Sequence, residues 1–132
     1  MTSPSAQFEE RWLEAAAADG EFRLITRWTA MSLRLESGDD GQTYRIKHSV
    51  MSVDDSQTPG PALVTLRGST EAWKDFLVNS PAAPNHHILA MQRRRTDFTI
   101  DGRHVLLQNL RTVNRAMELL QAVARDTDCG VA

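Results

Sequence analysis

"ALVTLRGSTEAWKDFLVN", residues 62–79, carries two periodicities in one short stretch. Ala62, Val64 and Leu66 recur at every second position, which puts them on one face of a strand. The alternation stops at Gly68. From Ser69 onward Trp73, Phe76 and Leu77 follow at spacings of three and four, the buried stripe of a helix. Ser69 is placed to accept from the free amides of the first turn, and Glu71 suits the positive end of the helix dipole. A strand that passes straight into a capped helix is the building unit of a sheet covered by helices.

Upstream, "MSLRLESGDDGQTYRIKHSVMSV" (31–53) alternates twice. Met31, Leu33 and Leu35 form one inward set; Tyr44, Ile46, His48 and Val50 form a second after the tight GDDG loop, which predicts two paired strands. Val50, Met51 and Val53 cannot all face one way. A bulge or corner there would split 43–53 and raise the strand count from four to five. "DDSQTPGP" (54–61) reads as loop. Nearer the N-terminus, Ser3-Pro4 opens a helix carrying Phe8, Trp12, Ala15 and Ala16, which ends at Asp19-Gly20. Phe22, Ile25 and Trp28, three apart, predict a second short helix with Leu24.

Downstream, "PNHHILAMQRRRTDF" (84–98) predicts a short helix from about Asn85, with Ile88, Leu89 and Met91 covered and Gln92 to Arg95 wet. Phe98 and Ile100 mark an inward strand that turns at Gly102, with Asp97 and Asp101 directed to solvent. From Arg103 to about Arg125, Leu106, Leu110, Val113, Met117 and Leu120 predict one long closing helix, flanked by Leu107, Ala116 and Val123. The fold expected is therefore α+β: a mixed sheet of four to five strands, one face covered by helices, with a crossover through 69–95 and a long C-terminal helix.

The chain has 132 residues, one cysteine and a net charge of -2, with 41% apolar and 24% charged residues. Such values predict a single domain over 1–132 with a frayed tail at 126–132. They argue against a nucleic-acid binder, which draws its affinity from many basic contacts, and against a disulfide scaffold, since Cys129 has no partner. No secretory signal or membrane span is evident, so a cytoplasmic protein is expected.

Chemistry-bearing motifs are sparse. Adjacent His86 and His87 diverge by about 100° on a helix and cannot easily share an ion, and no H-E-x-x-H or paired C-x-x-C occurs. Neither a G-x-S-x-G elbow nor a phosphate-binding glycine loop is present. No catalytic residue, metal or cofactor is indicated. Six arginines against two aspartates between Met91 and Arg115 allow a basic patch that meets lipid phosphates or an acidic partner, although a solvated helix end explains them too. His104 reads as a surface residue.

The apolar inventory says more. Two short helices and a long one would roof the sheet incompletely, leaving room for a hydrophobic small molecule against Phe76, Leu89, Met91, Phe98, Leu110, Val113 and Met117. His48 or Arg95 would meet a polar head group. A rival reading has the same apolar face docking a partner enzyme or a second copy as a homodimer, with at most transient membrane-surface contact. A small isomerase or cyclase of the cone-shaped nuclear-transport-factor-like fold is a further alternative, with His48 essential to turnover; the long terminal helix argues against it.

"ALVTLRGSTEAWKDFL", "HHILAMQRRR" and "DFTIDGRHVLLQNLRTVNRAMELL" together resemble the second half of type-2 sterol-carrier-protein-like domains. "DGEFRLITRWTAMSLRLE" is similar to the leading helix and first strand of bacterial members, so the resemblance spans about residues 8–123. It implies a mixed five-stranded sheet covered by helices, around a hydrophobic tunnel for sterols, fatty acyl chains or other lipids; with the apolar inventory beside it, the role expected is a non-catalytic carrier or sensor.

Overall fold

The computed structural model describes residues 6–38, 40–54, 62–77 and 88–127. Helices α1 (Ala6–Ala18) and α2 (Gly20–Ile25) precede strands β1 (Ala30–Ser37), β2 (Asp40–Lys47), β3 (Val50–Val53) and β4 (Leu63–Gly68). Then come α3 (Thr70–Leu77), α4 (Ile88–Arg94), β5 (Phe98–Asp101), α5 (Arg103–Gln108) and α6 (Leu110–Thr127). The five strands form one sheet in the order β3-β2-β1-β4-β5. The β1–β4 pair is parallel and every other pair antiparallel.

Register turns sequence alternation into a two-faced sheet. Leu33 lies opposite both Tyr44 and Val64, Leu35 opposite Leu66, Ile46 opposite Met51, and Leu66 opposite Ile100, so one face is continuously apolar. Helices cover that face: α3 and α5 pack on β4, α4 on β5, α1 on β3 and α6, and α6 also takes α2 and α3. The other face is polar. There Glu36 accepts from Arg34 at 2.6 Å and from Arg67 at 2.7 Å, while Arg67 reaches Asp101 at 2.9 Å, a chain of charges across β1, β4 and β5. The two arginines hold the Glu36 carboxyl below the usual range.

Two polar clasps tie α1 and α2 to α6. Trp12 Nε1 donates to the Ala116 carbonyl at 3.0 Å, and its ring meets Tyr44 edge-on with centroids 4.8 Å apart. Asp19 accepts the Phe22 amide as the cap of α2 and receives a two-pronged grip from Arg115, at 2.7 and 2.9 Å. That grip lowers the Asp19 pKa.

Three expectations need correction. Residues 69–95 join antiparallel neighbours β4 and β5; the parallel pair β1–β4 is bridged instead by β2, β3 and the segment between β3 and β4. The strand break falls at His48-Ser49, where both residues have positive φ (48° and 72°), so Lys47 and Val50 pair across a two-residue hairpin turn and the fifth strand is β3. The closing helix is two helices. Asn109 sits between them, its side-chain amide on the Val105 carbonyl at 3.0 Å while its own carbonyl receives the Val113 amide at 3.0 Å, a local competition that periodicity cannot register. α6 itself runs from Leu110 to Thr127. Ser3-Pro4, His86, His87 and Cys129 lie outside the described residues.

Candidate functional site

Ser69 organises the helix-covered end of β4. Its Oγ accepts the Ala72 amide at 3.0 Å, capping α3 as its sequence position suggests, and donates to Asp97 Oδ2 at 2.6 Å. Asp97 also takes Arg95 Nε at 2.8 Å and Nη2 at 3.0 Å, a fork on a carboxylate. Arg95 Nη1 continues to Asp75 Oδ2 at 2.8 Å. Asp97 is therefore paired and only partly open to solvent, at 35% side-chain exposure: Arg95 and then Ser69 push its pKa down to about 2. Arg95 is raised above its ordinary value, by Asp97 first. The group joins α3, the end of α4 and the start of β5 into one frame, and the guanidinium suggested for a head group is held by two carboxylates.

Above this frame lie aromatic rings. Phe98 and Phe76 both meet Trp73 edge-on, at centroid distances of 5.6 and 6.0 Å, and Trp73 Nε1 donates to the Glu36 carbonyl at 2.8 Å. Gly68 is glycine for a steric reason. A Cβ there would stand 2.9 Å from Phe98 and 3.2 Å from the Trp73 ring.

Of the seven suggested lining residues, Phe76, Met91, Phe98, Val113 and Met117 are buried, and Leu89 and Leu110 pack partly buried against the same core. They come from α3, α4, β5 and α6, the elements on the β4–β5 half of the sheet. Leu77, Ile88, Leu106 and Leu120 belong to the same core, which continues across the sheet to Leu33, Tyr44 and Ile46 and to Trp12.

His48 does not belong with them. Instead of following Tyr44 and Ile46 inward it occupies the hairpin turn, exposed, with its amide bonded to the Thr29 carbonyl at 2.9 Å. Strand counting fails there because the turn ends the strand at Lys47. His104 is also exposed.

One polar pair in the interior went unmarked in the sequence. The Tyr44 hydroxyl and Glu9 Oε1 are both buried, and Glu9 is the polar group that acts on the phenol. Burial first, and the Glu9 charge second, raise the Tyr44 pKa far above its ordinary 10.0. The phenol stays protonated at any physiological pH. It can donate a hydrogen bond and cannot act as a base.

Among the described residues no cluster of histidine, cysteine, aspartate or glutamate suits a metal ion, and no helix is long and apolar enough to cross a membrane.

No family model and no curated protein sequence matches the chain. A solved structure does: the solution structure of TT1886, a conserved hypothetical protein of Thermus thermophilus described as a possible sterol carrier protein. It superposes with a TM-score of 0.63 over 93% of this chain and 90% of that one, at 10% sequence identity. At that identity the likeness is one of fold.

Proposed function

We propose that the chain is a non-catalytic carrier or sensor of a hydrophobic small molecule of the fatty acyl, lipid or sterol-like class. The ligand would lie between the β4–β5 half of the sheet and helices α3, α4 and α6, against Phe76, Leu89, Met91, Phe98, Leu110, Val113 and Met117. The observation that carries this reading is the convergence of these seven apolar side chains from four elements onto one core, in a fold shared with a protein described as a possible sterol carrier. Methionine and aromatic side chains suit such a role because thioether chains repack around ligands of different shape. Burial of hydrocarbon at roughly 25 cal/mol per Å² would supply most of the affinity. With Arg95 engaged by Asp75 and Asp97, the reading rests on apolar contact and not on a charged head group.

The test is displacement of a fluorescent fatty acid or sterol probe by unlabelled lipid, comparing wild type with Leu110→Arg and Met117→Lys. Binding by wild type and its loss in both folded variants is the expected result. Charged variants that fold and bind as well as wild type would overturn the reading.

A further inference from the structure

The register of the sheet sends the start of β1, the end of β2, the start of β3, the start of β4 and the end of β5 to the same end of the molecule. Trp28, Leu24, Val50 and Leu107 are the exposed large apolar side chains among the described residues, at 85, 62, 61 and 55%. All four belong to segments at that end. Trp28 and Leu24 flank the turn into β1, Val50 opens β3, and Leu107 lies on α5, which follows β5 directly. The segments are bonded to one another. Ser49 donates its amide to the Thr26 carbonyl and its hydroxyl to the Arg23 carbonyl. The Thr29 and Thr112 hydroxyls meet at 3.5 Å, drawing the start of α6 against the same turn.

Charge is segregated there as well. The sequence has no aspartate or glutamate in 22–30, 45–53 or 102–117, and the carboxylates that border these segments are paired elsewhere: Glu21 and Glu118 with Arg115, Asp54 with Arg45 and Asp101 with Arg67. Arg23, Arg27, Lys47, Arg103 and Arg111 are exposed in those segments. Among the described residues, none of the five makes an ion pair with a carboxylate, whereas Arg45 and Arg115 nearby do.

We infer that this end of the molecule, which carries exposed Trp28, Leu24, Val50 and Leu107 together with five cations that pair with no carboxylate among the described residues, docks on the surface of an anionic lipid bilayer. An indole prefers the depth where hydrocarbon gives way to head groups, and lysine and arginine beside it meet phosphate. A second copy of the chain is the poorer occupant, because two such cationic ends face to face would repel. The inference uses none of the lining residues and stands apart from the ligand reading.

The experiment uses the full chain with vesicles of phosphatidylcholine alone, or with about one third phosphatidylglycerol to give an anionic surface. Co-sedimentation and tryptophan emission are read at low and high salt. Trp12 and Trp73 are buried, so a blue shift on binding reports Trp28. Binding to anionic vesicles, released by salt, is expected. The double variant Arg23→Glu/Arg27→Glu should bind at least about tenfold more weakly, and Trp28→Ser/Leu107→Ser should lose the vesicles while its circular dichroism stays unchanged. Absence of binding at low salt, equal binding to neutral vesicles, or a concentration-dependent doubling of mass removed by Trp28→Ser would each overturn the inference. Probe displacement is measured without vesicles, so the two readings fail separately.

Discussion

Replacing Arg95 by Met tests whether the charged frame beneath the apolar cluster holds that half of the fold together. The side chains are mostly covered, at 19% exposure for Arg95, 23% for Asp75 and 35% for Asp97. Exposed ion pairs contribute at most about 1 kcal/mol, whereas removing one partner of a fully buried pair costs roughly 3–5 kcal/mol. This cluster lies between those limits. Met keeps much of the stem's packing but forfeits three charge-assisted hydrogen bonds and leaves two carboxylates facing each other, so a loss of about 2 kcal/mol is expected. In a domain of this size that corresponds to about 8 °C in Tm. Urea unfolding of wild type, Arg95→Met, Asp97→Asn and the double variant would give the coupling, expected at about 1 kcal/mol. Acid adds an independent readout. Folding lowers the Asp97 pKa from 3.8 to about 2, so the folded chain holds fewer protons in that interval. The contribution is complete above pH 3.8 and drains away as pH falls toward 2. Arg95→Met should flatten that slope. A loss below about 0.5 kcal/mol, or strictly additive single effects, would refute the reasoning. Probe affinity measured on folded Arg95→Met protein also separates framing from ligand contact, since a framing residue leaves it unchanged.

Other expectations follow from single positions. Gly68→Ala should cost about 1–3 kcal/mol in urea unfolding, because the new methyl presses on Phe98 and Trp73. His48→Asn should stabilise by about 0.5 kcal/mol, since asparagine tolerates the left-handed conformation better; Ser49→Gly should gain little, because relief of φ is offset by loss of the hydroxyl bond to Arg23. Trp73→Ala should cost at least about 3 kcal/mol and Trp28→Ser less than about 0.5 kcal/mol, a contrast set by the burial of Trp73, its bond to the Glu36 carbonyl and its ring contacts, and read from the same denaturation curves.

Much of the fold was legible. Alternation in Met31–Leu35 and in Val64–Leu66, and the capping position of Ser69, state local geometry directly, and each reappears in the sheet and in α3. What failed was decided by turns or by distant charge. His48 and Val50 were carried inward by counting twos past Lys47, although a hairpin of two left-handed residues cancels the count. Trp28 fell on a helical spacing with Phe22 and Ile25, yet α2 ends at Ile25 and leaves it in water. Asp97 looked solvated because its neighbours alternate; its partner Ser69, and the Asp75 that steadies Arg95, come from elsewhere in the chain. The apolar cluster around Phe76, Phe98, Val113 and Met117 could be read as core, since spacing reports which side is inward.

The indole of Trp12 reaches 104 residues along the chain to the Ala116 carbonyl. During synthesis, α1 leaves the ribosome well before the helix that covers it, and the hairpin strands emerge with their oily side bare. Maturation must then wait for the final helix, so a polypeptide stalled just after β5 would offer chaperones and proteases the surface that α6 conceals.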